Sequence, residues 1–341
     1  MSGPKDAVIA GRVIRPGETV EILLKISEFY TAQPVNIPVT VIRGAEDGPR
    51  VFLTGAIHGD ELKGVEIVRN VIQGLDHTKI RGTLICLPVV NRMGFLNHSR
   101  YLPDRRDLNR HFPGDPQGSS ADRIAAILFK QVIANADYGI DFHTAALGRT
   151  NLPHIRAANE HEEVRKMAKA FGTEVIVDRA GHPRSLRAAA LAAGVPTIIY
   201  EGGETFKFQR KEIKKGINGV YNVLSALGVI PTPIKEPRVQ VTVRKSEWVR
   251  AEKGGILDLR ASPGDLVYER EVLAVVEHPF GREVSSVPAP FTGLILGTTT
   301  RPMVTPGDPI CHVVKLDKTL PTVEKHLQTS ASGRRRIPVD T

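Results

Sequence analysis

His58-Gly59-Asp60-Glu61 follows directly on the apolar run Val51-Phe52-Leu53-Thr54-Gly55-Ala56-Ile57, and a second apolar run ends in Asp141-Phe142-His143, with His143 82 positions after Glu61. A His and a carboxylate in the connection after a strand can converge on one ion as the strand turns into the next helix, and a distant second His at another strand end can complete the set. His58, Glu61 and His143 would supply three N/O ligands and leave a fourth position to water, the form zinc takes when it catalyses rather than braces a fold. A thiolate cage is excluded, because the chain carries only Cys86 and Cys311. Taken alone, His-x-x-Glu is a weak pattern. Its weight here comes from context: strand ends are where open α/β sheets place their ligands, Gly59 gives the backbone freedom to turn, and Asp141 is placed to orient a ligand imidazole from behind.

Hydrolysis at such a centre also needs a base for the water, a cation for the developing oxyanion and a grip on the substrate. The apolar stretch Pro196-Thr197-Ile198-Ile199-Tyr200 runs straight into Glu201-Gly202-Gly203-Glu204. Glu201 terminates the strand and is preferred as the base over Glu204, which lies further into the loop. Arg100, Asn109 and Arg110 fall in the polar segment Asn91 to Pro113, too long and too charged for a plain connector. A guanidinium there can grip a carboxylate in a fork, with the neighbouring Asn donating to the same group. The bland alternative is a set of solvated surface arginines.

These residues sit on alternating elements. Val51 to Ile57 reads as a strand, Leu62 to Leu75 as a helix, Thr83 to Val90 as a strand and Ser120 to Asn135 as a helix. A strand follows from about Ala136 to His143. Helices over Glu160 to Phe171, Ser185 to Ala193 and Lys211 to Leu227 alternate with strands over Glu174 to Val177 and Pro196 to Tyr200. Such alternation implies a mixed or parallel sheet covered on both faces. Before it, Arg12 to Ile26 and Val35 to Ile42 read as strands joined to the catalytic domain, so that residues 1–45 precede a catalytic unit over 46–232. Pro231, Pro233 and Pro237 mark a linker.

Beyond the linker the pattern becomes strand and turn. Ser262-Pro-Gly-Asp265 recurs as Thr305-Pro-Gly-Asp308, 43 positions later, which suggests a small two-fold barrel or flattened sandwich over 238–318, followed by a tail over 319–341. This part resembles the biotinyl-lipoyl hammerhead domain over about 250–316. Where that family carries its modified lysine, this chain reads Glu277-His-Pro-Phe-Gly-Arg282, so a carrier role is not expected and a structural or site-shaping role is.

The net charge is +9, yet aromatic residues are only 5% and no stacking or groove-reading motif appears, so nucleic acid is not the expected partner. Arginines beside a candidate metal site point to an anionic small molecule, and Arg334-Arg335-Arg336 to a solvated tail. No span approaches the roughly 18 apolar residues of a membrane helix. Met1 to Asp6 lacks a secretory pattern, so a cytoplasmic location without membrane association is expected. Self-association into a homo-oligomer is left open.

Taken in order, His58-Gly-Asp-Glu61, Arg100-Tyr101, Asp107-Leu-Asn109-Arg110, Asp141-Phe-His143 and Tyr200-Glu201-Gly-Gly203 resemble the motifs of the succinylglutamate desuccinylase/aspartoacylase family, relatives of the zinc carboxypeptidases, in its broad bacterial branch with a hammerhead-like C-terminal domain. The resemblance covers about residues 45–230. It implies a phosphorylase/hydrolase-like α/β fold with a mixed central sheet and one zinc per chain on His58, Glu61 and His143. It further implies Glu201 as general base and then acid, Arg100 polarising the scissile carbonyl, and Asn109 with Arg110 binding a substrate carboxylate. The expected activity is zinc-dependent hydrolysis of the amide of an N-acyl amino acid or similar small N-acylated anion, with acyl group and amine left open. A metallocarboxypeptidase acting on short peptides is the runner-up. A non-catalytic binder that keeps the fold is the third reading, disfavoured because a binder needs no poised base.

Overall fold

The computed structural model describes residues 6–281, 284–329 and 333–339. In chain order its larger strands are β1 (Thr19–Glu28), β2 (Pro34–Arg43), β3 (Glu46–Thr54), β4 (Arg81–Leu87), β5 (Tyr138–His143), β6 (Arg149–Ala157), β7 (Val175–Asp178), β8 (Thr197–Gly203), β9 (Ser246–Arg250), β10 (Gly293–Thr299) and β11 (Pro309–Lys315). The larger helices are α1 (Lys63–Gly74), α2 (Ser120–Gln131), α3 (Glu162–Phe171), α4 (Leu186–Ala192) and α5 (Arg210–Ala226). The strands join one sheet in the order β9-β11-β10-β6-β8-β5-β3-β4-β2-β1. Its middle, β4-β3-β5-β8, is parallel, and β2 and β6 pair antiparallel on either side. This is the mixed α/β architecture that the alternation of elements implies.

The central strands are buried on both faces, which is why they read as continuous apolar runs rather than alternating ones. Ile67, Val68 and Val71 of α1, Val164 and Phe171 of α3, and Val220 and Val223 of α5 pack with Leu53, Ile140 and Tyr200 against one face. Ile124 and Leu128 of α2 and Leu186 and Ala190 of α4 pack with Phe52 and Ile85 against the other. The site is thereby set on strands held rigid from both sides.

β6 was not legible as a strand. Pro153 interrupts it and Arg149, Asn151, His154 and Arg156 dilute its apolar content, both of which argue against a central strand. Tertiary pairing overrides this. Residues 149–151 pair with β10 while 154–157 pair in parallel with β7, so one strand serves two neighbours on the same side. Through β6–β10 the C-terminal strands continue the central sheet. A separate four-stranded sheet includes Gly255–Leu259, Val272–Glu277 and Val284–Pro288, and Leu257, Leu273, Val276, Ile295, Ile310 and Val313 fill the core between the two.

The duplicated turn is structural. Gly264 and Gly307 both adopt positive φ, at 93° and 91°. Asp265 and Asp308 each accept the backbone N–H three residues earlier, from Ser262 at 2.9 Å and Thr305 at 2.8 Å. The expectation of a solvated Arg334-Arg335-Arg336 tail is corrected: Arg334 pairs with Glu271, and Arg336 Nε donates to the fully buried Asp265 at 2.7 Å. A buried carboxylate needs a partner, and the chain end returns to supply one. Arg282, at the hairpin tip compared with a modifiable lysine, lies outside the described residues.

Candidate metal centre and active site

β3 ends at Thr54 and α1 begins at Lys63, so His58 and Glu61 occupy the connection between them. Gly59 is required there for a different reason from the one expected. Its φ is ordinary, but an added Cβ would lie 2.0 Å from the backbone carbon of Gly94. Close approach of the Asn91–Pro113 segment, rather than a strained turn, excludes a side chain. That approach brings Arg100 and Asp107 onto the His58–Glu61 connection.

The three candidate ligands meet. His58, Glu61 and His143 are buried, and one ligand atom of each lies within 4.8 Å of the others. His58 Nδ1 is 2.8 Å from Glu61 Oε1 and His143 Nδ1 is 3.0 Å from Glu61 Oε2. The far nitrogens are held by carboxylates, His58 Nε2 at 3.1 Å from Asp107 and His143 Nε2 at 2.8 Å from Asp141. Asp141 is itself fixed by the Thr54 hydroxyl at 2.8 Å, and the Thr144 N–H donates to Glu61 at 2.9 Å. Each imidazole therefore turns Nδ1 inward while a carboxylate fixes its outer edge, the carboxylate–histidine–metal arrangement of catalytic centres. The donor set, N, N and O with no thiolate, fits a borderline divalent ion.

Electrostatics follow from this crowding. Burial opposes ionisation of Glu61, but His58 and His143 outweigh it and hold its carboxyl well below the usual range. Burial likewise opposes a charge on His143, and Asp141 and Glu61 override it to raise the imidazole well above its ordinary value. Asp107, though desolvated, is held far below the carboxylate range by His58 and Arg100. The cluster is a negative-dominated socket around two imidazoles that a cation can replace protons in.

The remaining predicted residues line one cavity of about 550 Å³ with the cluster. Arg100 Nη1 is 2.9 Å from Glu61 Oε1 and its Nη2 is 3.4 Å from Asp107. Asn109 accepts the Leu186 N–H on Oδ1 at 2.8 Å, which fixes its amide so that the NH2 is the free end. Arg110 is tied back to the Asn109 carbonyl at 2.8 Å. Glu201 accepts from Asn151 Nδ2 at 3.1 Å and pairs with Arg156 at 3.2 Å. Glu204 is not among the cavity residues; it pairs with Lys207 and Thr300.

Sequence reading missed part of the wall. Asp107 belongs to the Asp107-Leu-Asn109-Arg110 motif, but nothing in its spacing signals that it holds His58 Nε2. Arg149, Arg156, Arg179 and Arg187 line the cavity, as do Trp248 and His312 from β9 and β11. The C-terminal strands thus close one side of the mouth. The strand identity of β6 would have signalled Arg149, which shares a face with Asn151 by period-two spacing, whereas Arg156 lies five positions from Asn151 and out of that period.

Residues 47–227 match the family model described as the succinylglutamate desuccinylase/aspartoacylase catalytic domain. The chain is 28% identical over 263 residues to the N-alpha-acetyl-L-2,4-diaminobutyric acid deacetylase of Halomonas elongata, covering 71% of this chain and 74% of that one. Among solved structures, a succinylglutamate desuccinylase/aspartoacylase from Rhodobacter sphaeroides superposes with a TM-score of 0.79 at 25% identity, covering 88% of this chain and 96% of that chain. The product-bound ectoine utilization protein EutE (DoeB) from Ruegeria pomeroyi superposes with a TM-score of 0.81 at 24% identity, over 93% of this chain and 100% of that chain, and speaks for the fold. With the matched segment spanning every residue of the cluster and Glu201, the chain belongs to the succinylglutamate desuccinylase/aspartoacylase family.

Proposed function

We propose that this protein is a zinc-dependent deacylase that hydrolyses the amide of a small N-acylated amino acid, releasing a carboxylate and an amine. The observation that carries the reading is the convergence of the buried His58, Glu61 and His143 with Glu201, Arg100, Asn109 and Arg110 on one cavity. Membership of a family of N-acyl amino acid deacylases, and the likeness to an enzyme named for removing an N-acetyl group, support the same chemistry. Zinc held by His58, Glu61 and His143 supplies, when bound, a Lewis acid that makes a water acidic and offsets charge on the carbonyl oxygen.

The chain's own residues do the rest. Asn109 and Arg110 hold a carboxylate of the substrate and so fix the amide against Glu201. Glu201 takes a proton from the attacking water as its oxygen bonds to the carbonyl carbon, then returns that proton to the amine nitrogen as the C–N bond breaks. Arg100 donates to the carbonyl oxygen as it becomes an oxyanion, an interaction strongest in the transition state. Asn151 and Arg156 aim the Glu201 carboxylate.

A small substrate is favoured over a peptide because Ser246, Trp248, Leu296 and His312 wall the cavity from the C-terminal side. Hydrolysis of a panel of N-acyl amino acids, set beside short peptides with free C-termini, tests this. Turnover confined to the N-acyl amino acids is expected; turnover confined to peptides would replace the reading with a carboxypeptidase.

A further inference from the structure

The central sheet places only part of the site. His143 and Glu201 stand on β5 and β8, but His58 and Glu61 lie off the sheet, in the connection between β3 and α1. The strand ladder does not reach that connection. On its other side β8 also leaves regular pairing here: its register with β6 shifts between Glu201 and Gly203, and Gly203 takes a left-handed φ of 67°. The distance from Glu201 to the two off-sheet ligands is therefore set by contacts between two irregular segments, 58–63 and 201–206.

Two hydrogen bonds join those segments. The Phe206 N–H donates to the Asp60 carbonyl at 3.2 Å, with Phe206 at φ 54°, a left-handed value that a bulky side chain rarely takes. The Lys63 ammonium donates to the Glu204 carbonyl. On one segment the two bonds flank Glu61, and on the other they follow directly after Glu201.

Lys63 is the informative side chain. It is 1% exposed and opens α1, where the unpaired backbone N–H groups disfavour a cation. Among the described residues its ammonium pairs with no carboxylate, so the Glu204 carbonyl is what holds it. Lysine is rarely buried so fully without an ionic partner, because desolvating its charge is unfavourable. Packing alone gives no reason for an ammonium here, since an apolar chain of the same length would fill the space without that cost. Lys63 is not among the residues lining the cavity, so any effect on the reaction must pass through what it holds. Gly203 makes room for it: a Cβ there would lie 2.5 Å from Lys63 Cε and 2.8 Å from Nζ. The same peptide is gripped from two other directions. The Glu204 N–H donates to Gln209 Oε1 at 2.8 Å, and the Gly203 carbonyl accepts the Ala145 N–H at 3.2 Å.

We propose that Lys63 is a positioning residue, which tethers the strand end carrying Glu201 to the connection carrying His58 and Glu61 and so fixes the base against the metal socket. This rests on the deacylase reading with Glu201 as its base, and extends it to a group that does not touch the substrate.

The test uses the full-length, zinc-loaded protein and two variants that loosen the tether from opposite partners, Lys63→Met and Gly203→Ala. The first keeps the length of the side chain and removes the donor. The second crowds the ammonium with a methyl group at a left-handed φ. With an N-acyl amino acid that wild type hydrolyses, each is expected to lower kcat about 10- to 100-fold, the cost of misplacing a reacting group by about 1 Å. KM should stay within about threefold, because Asn109 and Arg110 grip the substrate carboxylate independently. In a Glu201→Gln background the loss from Lys63→Met should shrink to within about threefold, since the carboxylate that the tether places is gone. Hydrogen exchange read by mass spectrometry is independent of turnover: Lys63→Met should exchange faster over residues 203–208 while α1 stays as protected as in wild type. An unchanged kcat in both variants, an equal loss with and without the Glu201 carboxylate, unchanged exchange over 203–208, or faster exchange spread through α1 and β8 overturns the proposal. Faster exchange confined to 203–208, in a protein that hydrolyses no N-acyl amino acid, would leave the tether standing and remove the deacylase reading instead.

Discussion

Glu201 and His143 are register partners on adjacent parallel strands, β8 and β5, so the proposed base and a candidate metal ligand stand side by side at the same level of the sheet. Neither depends on a flexible loop for its position. On the other side of β8, Glu201 is paired in register with His154 of β6, the strand that also carries Asn151 and Arg156. The backbone ladder thus sets the spacing between base and metal socket before any side chain is chosen.

That spacing makes Glu201→Gln the most informative substitution. The amide keeps the shape but cannot take a proton from water, so kcat is expected to fall by about 10³-fold or more while metal content is retained. Glu204→Gln, outside the cavity, should stay within about threefold of wild type. Steady-state kinetics with parallel elemental analysis decide it; a dead Glu204→Gln beside an active Glu201→Gln would exchange the two roles.

Asp141 and Asp107 hold the outer edges of the two ligand imidazoles. Asp141→Asn and Asp107→Asn should each weaken metal affinity by about 10–100-fold with little change in fold, as such outer carboxylates do elsewhere. Competition against a chromogenic chelator measures this, and unaltered affinity in both variants would separate the carboxylates from metal binding.

Arg110 and Arg100 should divide kinetically. Arg110 grips a carboxylate present in ground and transition states alike, so Arg110→Ala should chiefly raise KM. Arg100 meets charge that develops during reaction, so Arg100→Ala should chiefly lower kcat, by about 10²–10³-fold. Equal effects on KM from both would mean that the two guanidiniums act on the same ground-state group.

Stability toward acid should depend on His312. Its folded pKa, about 4, lies below the ordinary 6.5, so the unfolded chain binds the extra proton between those values. Its contribution is therefore complete above about pH 6.5 and is lost as pH falls toward 4. Urea unfolding of wild type should weaken between pH 7 and 5 by on the order of 1–2 kcal/mol more than that of His312→Gln. Parallel pH profiles for the two proteins would contradict the burial argument.

Much of this site was legible in the sequence because its ligands cap apolar runs. His58, Glu61, His143 and Glu201 each follow a stretch of Val, Ile, Leu or Phe, and a strand end is a local property that alternation reveals. What was not legible is set by distant pairing. β6 carries Pro153 and five polar or charged residues, and becomes a strand only through partners on both sides. Arg187 reads as an ordinary charged residue at a helix start; that it is buried, with Nη2 on the Arg179 carbonyl and with Nε and Nη1 lacking an acceptor among the described residues, depends on distant segments. Trp248 and His312 reach the cavity because β10 joins β6, a contact across more than a hundred residues. The C-terminal arginines read as a tail for the same reason: their partners, Glu271 and Asp265, are over sixty positions away.

The central claim is that hydrolysis depends on a metal held by His58, Glu61 and His143, and the most direct measurement is a zinc titration of chelator-stripped enzyme with an N-acyl amino acid as substrate. The account predicts that activity disappears on stripping, returns in proportion to added zinc up to about one equivalent per chain, and does not return in His143→Ala. Undiminished hydrolysis by the metal-free protein would contradict it.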